Sequence, residues 1–75
     1  MAEKLLSDLR IGEQGIIKHF IDDFIALKLM EMGCLPGEQV ILERLAPMGD
    51  PIAISVSGYS LSLRKSEAAK VVIQQ

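Results

Sequence analysis

At 75 residues the chain has room for one domain, and a core that small leaves little space for a buried pocket of the ~300–1,000 Å³ usual for small-molecule sites. Apolar residues make up 49% of it, enough for one compact core and too much for a disordered chain. The formal net charge of −2 lacks the basic surplus of a phosphate-backbone binder or of a protein drawn to an anionic membrane, and a lone cysteine, Cys34, lacks the bridges of a small secreted domain.

In chain order, the segment Met1–Leu6 has no apolar run of signal-peptide length. No later stretch approaches the ~20 apolar residues of a membrane span. A cytoplasmic protein without direct membrane insertion is therefore expected. Gly12 and Gly15 bracket Glu13-Gln14 and read as turn residues ahead of a first strand, Gly15–Ile21. Asp22 and Asp23 are helix N-caps, since a short carboxylate accepts from the free N–H groups of a first turn. Phe24 to Met32 carries apolar residues at helical spacing, with Ile25 and Leu29, then Leu29 and Met32, on one face. Gly33 stands where a left-handed helix-ending residue is needed, and Pro36 with Gly37 stops continuation. A second strand is expected over Glu38–Ala46. The stiff loop Pro47-Met48-Gly49-Asp50-Pro51 follows.

The hairpin signal is the clearest. Ile52, Ile54 and Val56 alternate with Ala53, Ser55 and Ser57, and Tyr59, Leu61 and Leu63 alternate with Ser60, Ser62 and Arg64. A two-residue turn at Ser57-Gly58 pairs Val56 with Tyr59, Ile54 with Leu61 and Ile52 with Leu63, so all six apolar side chains share the core face. Ser66 is expected to cap a helical turn through Glu67-Ala68-Ala69, and Lys70–Ile73 to form the last strand. The fold class is thus mostly β with one short helix. About five strands in this length favour a small, strongly bent barrel, which also removes exposed sheet edges.

Chemistry-bearing residues are sparse. A zinc site needs about four Cys or His ligands, and Cys34 with His19 supply two. No metal site and no cofactor is expected. Cys34, just past a helix C-terminus, meets the negative end of the dipole, which raises a thiol pKa. A Cys–His pair would need a third orienting group and a pocket, so packing is the plainer role and no catalytic residue is assigned. Gly12-Glu13-Gln14-Gly15 has neither the Lys nor the following helix of a phosphate loop. Nucleic-acid binding would call for aromatics on a basic face, and only Phe20, Phe24 and Tyr59 are present. Contact surface remains. Met32 reads as core beside Leu29. Met30 and Met48 are less easily placed inside, and the loop Pro47–Pro51 is either a presenter of Met48 to a partner or a plain connection between strands.

Leu9 with Gly12, Gly15 and Ile17, then Lys28-Leu29-Met30-Glu31-Met32-Gly33-Cys34-Leu35-Pro36-Gly37, then Ala46-Pro47-Met48-Gly49-Asp50-Pro51-Ile52, then Leu61-Ser62-Leu63-Arg64-Lys65-Ser66-Glu67-Ala68, together resemble the FeoA family in order and spacing. The resemblance runs from about Leu5 to Ile73. It implies an SH3-like barrel and a cytoplasmic accessory protein of bacterial ferrous iron uptake. The implied partner is the cytoplasmic portion of the membrane transporter FeoB, with no nucleic acid involved and weak self-association allowed by an exposed Met and Pro surface. The family's shared positions fall on Gly12, Gly15, Gly33, Pro36, Gly37, Gly49, Asp50 and Pro51, read as shape-keeping, and Gly58 joins them as a turn residue. Cys34 stands where relatives often carry an aliphatic residue, which favours packing over ligation. The alternative reading is a soluble iron-handling or metal-sensing domain, because the same barrel forms the C-terminal domain of metal-dependent repressors. No DNA-reading helix–turn–helix precedes it here, so a full repressor is not expected.

Overall fold

The computed structural model describes residues 3–75. The elements are β1 (Glu3–Leu5), a 3₁₀ turn (Leu6–Asp8), β2 (Gln14–Phe20), α1 (Asp23–Glu31), β3 (Gln39–Leu45), β4 (Ile52–Val56), β5 (Tyr59–Leu63), α2 (Lys65–Ala68) and β6 (Val71–Gln74). Six strands form one sheet in the order β1-β6-β2-β3-β4-β5, every neighbouring pair antiparallel. Two expectations are corrected. The strand count is six, because Glu3–Leu5 pairs with β6; three residues with two charges carry no readable alternation. Among the described residues the sheet is also open, with β1 and β5 at its two ends, so the expected barrel closure is not shown.

The hairpin register is as expected, Val56 with Tyr59, Ile54 with Leu61 and Ile52 with Leu63. Ser57 and Gly58 have φ of 51° and 84°, the paired positive values of a type I′ turn. The Ser57 hydroxyl donates to Glu38 Oε2 at 2.6 Å, a bond to a residue 19 positions earlier that helps hold serine in a conformation it rarely adopts. Tyr59 departs from expectation. It is 44% exposed, and its hydroxyl donates to the Met32 carbonyl oxygen at 3.0 Å, so it covers the end of α1 instead of filling the core.

In α1, Asp22 accepts from the N–H groups of Phe24 (2.8 Å) and Ile25 (3.2 Å), and Asp23 is the first helical residue. At the other end Cys34 N–H reaches the Leu29 carbonyl (2.9 Å) and Gly33 N–H the Met30 carbonyl (3.0 Å). This is the Schellman pattern, with Gly33 at φ +98° in the left-handed position and Leu29 and Cys34 supplying its apolar contact within the core. Ser66 does not cap α2. Arg64 takes that position, the Glu67 carboxylate accepts from Arg64 N–H (3.1 Å), and Asp50, from the loop after β3, accepts from Lys65 N–H (2.9 Å). An acceptor 15 residues away displaces the local serine.

Register breaks between Ile17 and His19 on β2, and between Leu42 and Arg44 on β3, bend both strands. Side chains from β2 to β6 thereby meet in one core: Ile17, Val40, Leu42, Ile52, Ile54, Val56, Leu63, Val71 and Ile73 pack with Leu6, Leu9, Leu29, Cys34 and Ala68. Among the described residues no polar or charged side chain is buried. Gly15 is not a turn residue. It lies inside β2, where an added Cβ would sit 2.8 Å from Ile73 Cδ1, so the lack of a side chain lets β2 and β6 approach.

Candidate functional site

The loop between β3 and β4 is tied at both ends. Ala46 N–H donates to the Pro51 carbonyl (3.0 Å) and Gly49 N–H to the Ala46 carbonyl (2.7 Å). The Asp50–Pro51 peptide is cis, and the Asp50 carboxylate anchors the loop to α2. This frame holds Met48 out into solvent, 92% exposed. At its base lies a shallow groove of about 310 Å³ whose walls include Arg44, Leu45, Pro47 and Pro51, with Ala53 and Ser62 on the strands beneath.

The second exposed surface is on α1. Phe24 is 78% exposed and Leu27 63%, one turn apart, and Met30 follows after a further turn. Ile21 and Leu35, flanking the helix in sequence, are exposed too. The opposite face, with Leu29 buried and Ile25 and Met32 packed against the core, does the folding. Sequence reasoning picked out Met30 and missed Phe24 and Leu27. Their signal was available: from Phe24 to Met32 only Lys28 and Glu31 are polar, so a helix lying on the surface had to leave apolar side chains outward. Lys28 is ion-paired with Glu67, which links α1 to α2, and α2 in turn is linked to the loop through Asp50. A run of polar contacts thus leads from α1 through α2 to the Pro47–Pro51 loop, while no hydrogen bond or ion pair joins Met30 to that loop directly among the described residues.

Titratable groups play structural parts. Cys34 is free and 1% exposed, and burial pushes its thiol pKa up. The Lys28 ammonium, followed by the Arg64 N–H, holds Glu67 below the usual carboxylate range. His19 is exposed on β2. Among the described residues no three His, Cys, Asp or Glu side chains cluster as metal ligands would, and no helix is long and apolar enough to cross a membrane.

Comparison with known proteins gives a consistent picture. The model of the FeoA domain matches residues 4–75. A Porphyromonas gingivalis protein, the Fe(2+) transport protein A/Fe(2+) transporter FeoB fusion protein, is 31% identical over 70 residues, which is 92% of this chain and 8% of that one. The chain therefore spans only a small fraction of that relative. Among solved structures, a FeoA-like protein from Clostridium acetobutylicum superposes with a TM-score of 0.91 at 36% identity, covering 99% of this chain and 87% of that one. The zinc complex of FeoA from Stenotrophomonas maltophilia, a prokaryotic SH3 domain protein, superposes with a TM-score of 0.79 at 32% identity, covering 92% and 87%.

Proposed function

The chain belongs to the FeoA family, and from that premise we propose that it is an accessory protein of ferrous iron uptake that works by contact with a FeoB-type transporter, on the transporter's cytoplasmic portion, and carries out no catalysis itself. The observation that carries this reading is the P. gingivalis relative, in which a unit like this one and a FeoB transporter share one polypeptide. Covalent linkage raises the effective concentration of two parts, which is of use where the parts engage one another. The α1 surface supplies a means. Phe24, Leu27 and Met30 present an apolar stripe on a short rigid helix, the form in which a helix enters an apolar groove on a partner. The framed loop bearing Met48 offers a second contact.

The test is a titration of ¹⁵N-labelled protein with the cytoplasmic part of the cognate transporter, with and without a GTP analogue. Saturable shifts confined to α1 and residues 47–51 are expected. Shifts spread over the opposite side of the sheet would move the contact elsewhere, and none at high micromolar partner would count against the cytoplasmic portion as the binding region. The rival reading, a soluble iron-handling domain, predicts stoichiometric micromolar Fe²⁺ binding by the isolated protein under anaerobic conditions.

A further inference from the structure

We propose that two copies of this chain pair edge to edge through β5, antiparallel, about a two-fold axis at Leu61. β5 ends the sheet order. Because the two-residue turn makes Val56 and Tyr59 the closing hydrogen-bonded pair, alternation along the ladder turns Leu61 and Leu63 toward β4 as well. The backbone N–H and C=O groups of Ser60 and Ser62 then face outward. Residues 59–63 make no backbone hydrogen bond outside the sheet ladder among the described residues.

Sheet edges in stable monomers usually carry a charge, a proline or a bulge that repels a second strand. β5, Tyr-Ser-Leu-Ser-Leu, has no charge and no proline, and its register on β4 is unbroken. The other edge is different: β1 is three residues long, and its Glu3 and Lys4 are engaged in ion pairs with Lys18 and Glu13.

The occupant follows from the register. The outward groups of Ser60 and Ser62 are symmetric about Leu61, so an antiparallel copy sets Ser60 against Ser62 of the second chain, and Ser62 against its Ser60. Each pair exchanges two hydrogen bonds. Leu61, part-exposed on the core side, meets its own twin in the close, non-hydrogen-bonded position. The charges agree as well. Glu43 accepts from the Ser60 hydroxyl at 2.8 Å, while Ser62 lines the groove that Arg44 walls. Pairing carries each Glu43 carboxylate toward the Arg44 side of the other copy, twice over, and no like charges of β5 are opposed. The contact is isologous and closes at two copies. It leaves the exposed face of α1 out of the β5 register and so does not use the α1 contact; Ser62 borders the groove beneath the Met48 loop, where the paired edge and a loop contact meet.

Sedimentation of the isolated protein from ~10 µM to ~1 mM tests it. A reversible monomer–dimer equilibrium is expected, with amide exchange at Ser60 and Ser62 slowing as concentration rises. Ser62→Pro removes an outward N–H and fixes φ at that position, and Ser62→Lys keeps the N–H but charges the edge. Each is expected to weaken association at least ~tenfold, and Ser62→Lys covers the case in which proline disturbs the hairpin. A wild-type protein monomeric throughout this range overturns the proposal, as does a dimer that both variants leave intact. Protection of the two amides by a strand of another protein, without self-association, overturns it in favour of that partner.

Discussion

A Cβ built on Gly33 would lie 1.6 Å from the Tyr59 hydroxyl oxygen and 3.0 Å from its Cζ, and φ there is +98°. Two penalties therefore meet at one atom, a backbone conformation that L side chains avoid and a collision with the tyrosine that covers the helix end. Gly33→Ala is expected to cost ~1–3 kcal/mol, and each kcal/mol lowers the melting temperature of a domain this size by ~4–8 °C. In a Tyr59→Phe background the penalty is expected to shrink without vanishing, because the hydroxyl is gone while the positive φ and the ring carbon remain. A double-mutant cycle by thermal melting measures this. Equal penalties in both backgrounds would assign the whole cost to the backbone. The sequence showed why position 33 is glycine through its place after an apolar helix. It could not show Tyr59, whose alternation with Leu61 and Leu63 promised a core side chain; the outcome was decided by the end of α1 arriving over the hairpin, a contact between residues 27 apart in the chain.

At the scale of elements, α2 is only four residues long and depends on groups from elsewhere. Asp50→Ala removes the acceptor for Lys65 N–H and is expected to cost ~0.5–2 kcal/mol, the usual range for a lost helix cap, with the amide signals of 65–68 shifting most. Such a loss would also loosen the frame of the Met48 loop, so binding through that loop should weaken in the same variant. The Lys28–Glu67 pair adds a pH dependence. Glu67 has a folded pKa below its ordinary value, so its contribution is full above the ordinary carboxylate range and is lost as pH falls through the lowered folded value. Melting temperature should fall on acidification through that window, and Glu67→Gln should make the fall shallower. Glu3 and Glu13 are shifted the same way, so part of the slope will persist in that variant. Among the elements, α1, the hairpin and β3 were legible because each carries its own periodicity and punctuation. β1 was not, since its strand character comes from the hydrogen bonds of β6. Barrel closure was inferred from economy of edges, a global argument; among the described residues the sheet is open between β1 and β5.

For the whole molecule, the division of α1 into a folding face and an outward face separates stability from binding. Phe24→Ser with Leu27→Ser should change stability by no more than ~0.5 kcal/mol per site, yet abolish the shifts that a transporter fragment induces. A double variant that melts normally and still binds would remove α1 from the contact. Of the candidate site, Met30 and the Pro47–Pro51 loop could be read from residues that fit poorly inside. Phe24 and Leu27 were hidden because an apolar residue in a helix is ordinarily credited to the core, and only the position of α1 against β2 decides which side faces inward.

The sheet order has a further consequence, in time. β6 is the latest strand in sequence, yet it lies between β1 and β2. A ribosome adding ~5–20 residues per second needs ~3–10 s to go from the end of β2 to the start of β6. During that interval β2 through β5 can assemble as a run of neighbours, while β1 has no strand to pair with and β2 presents a bare edge. The nascent chain is then more open to pairing with its own copies than the finished protein ever is.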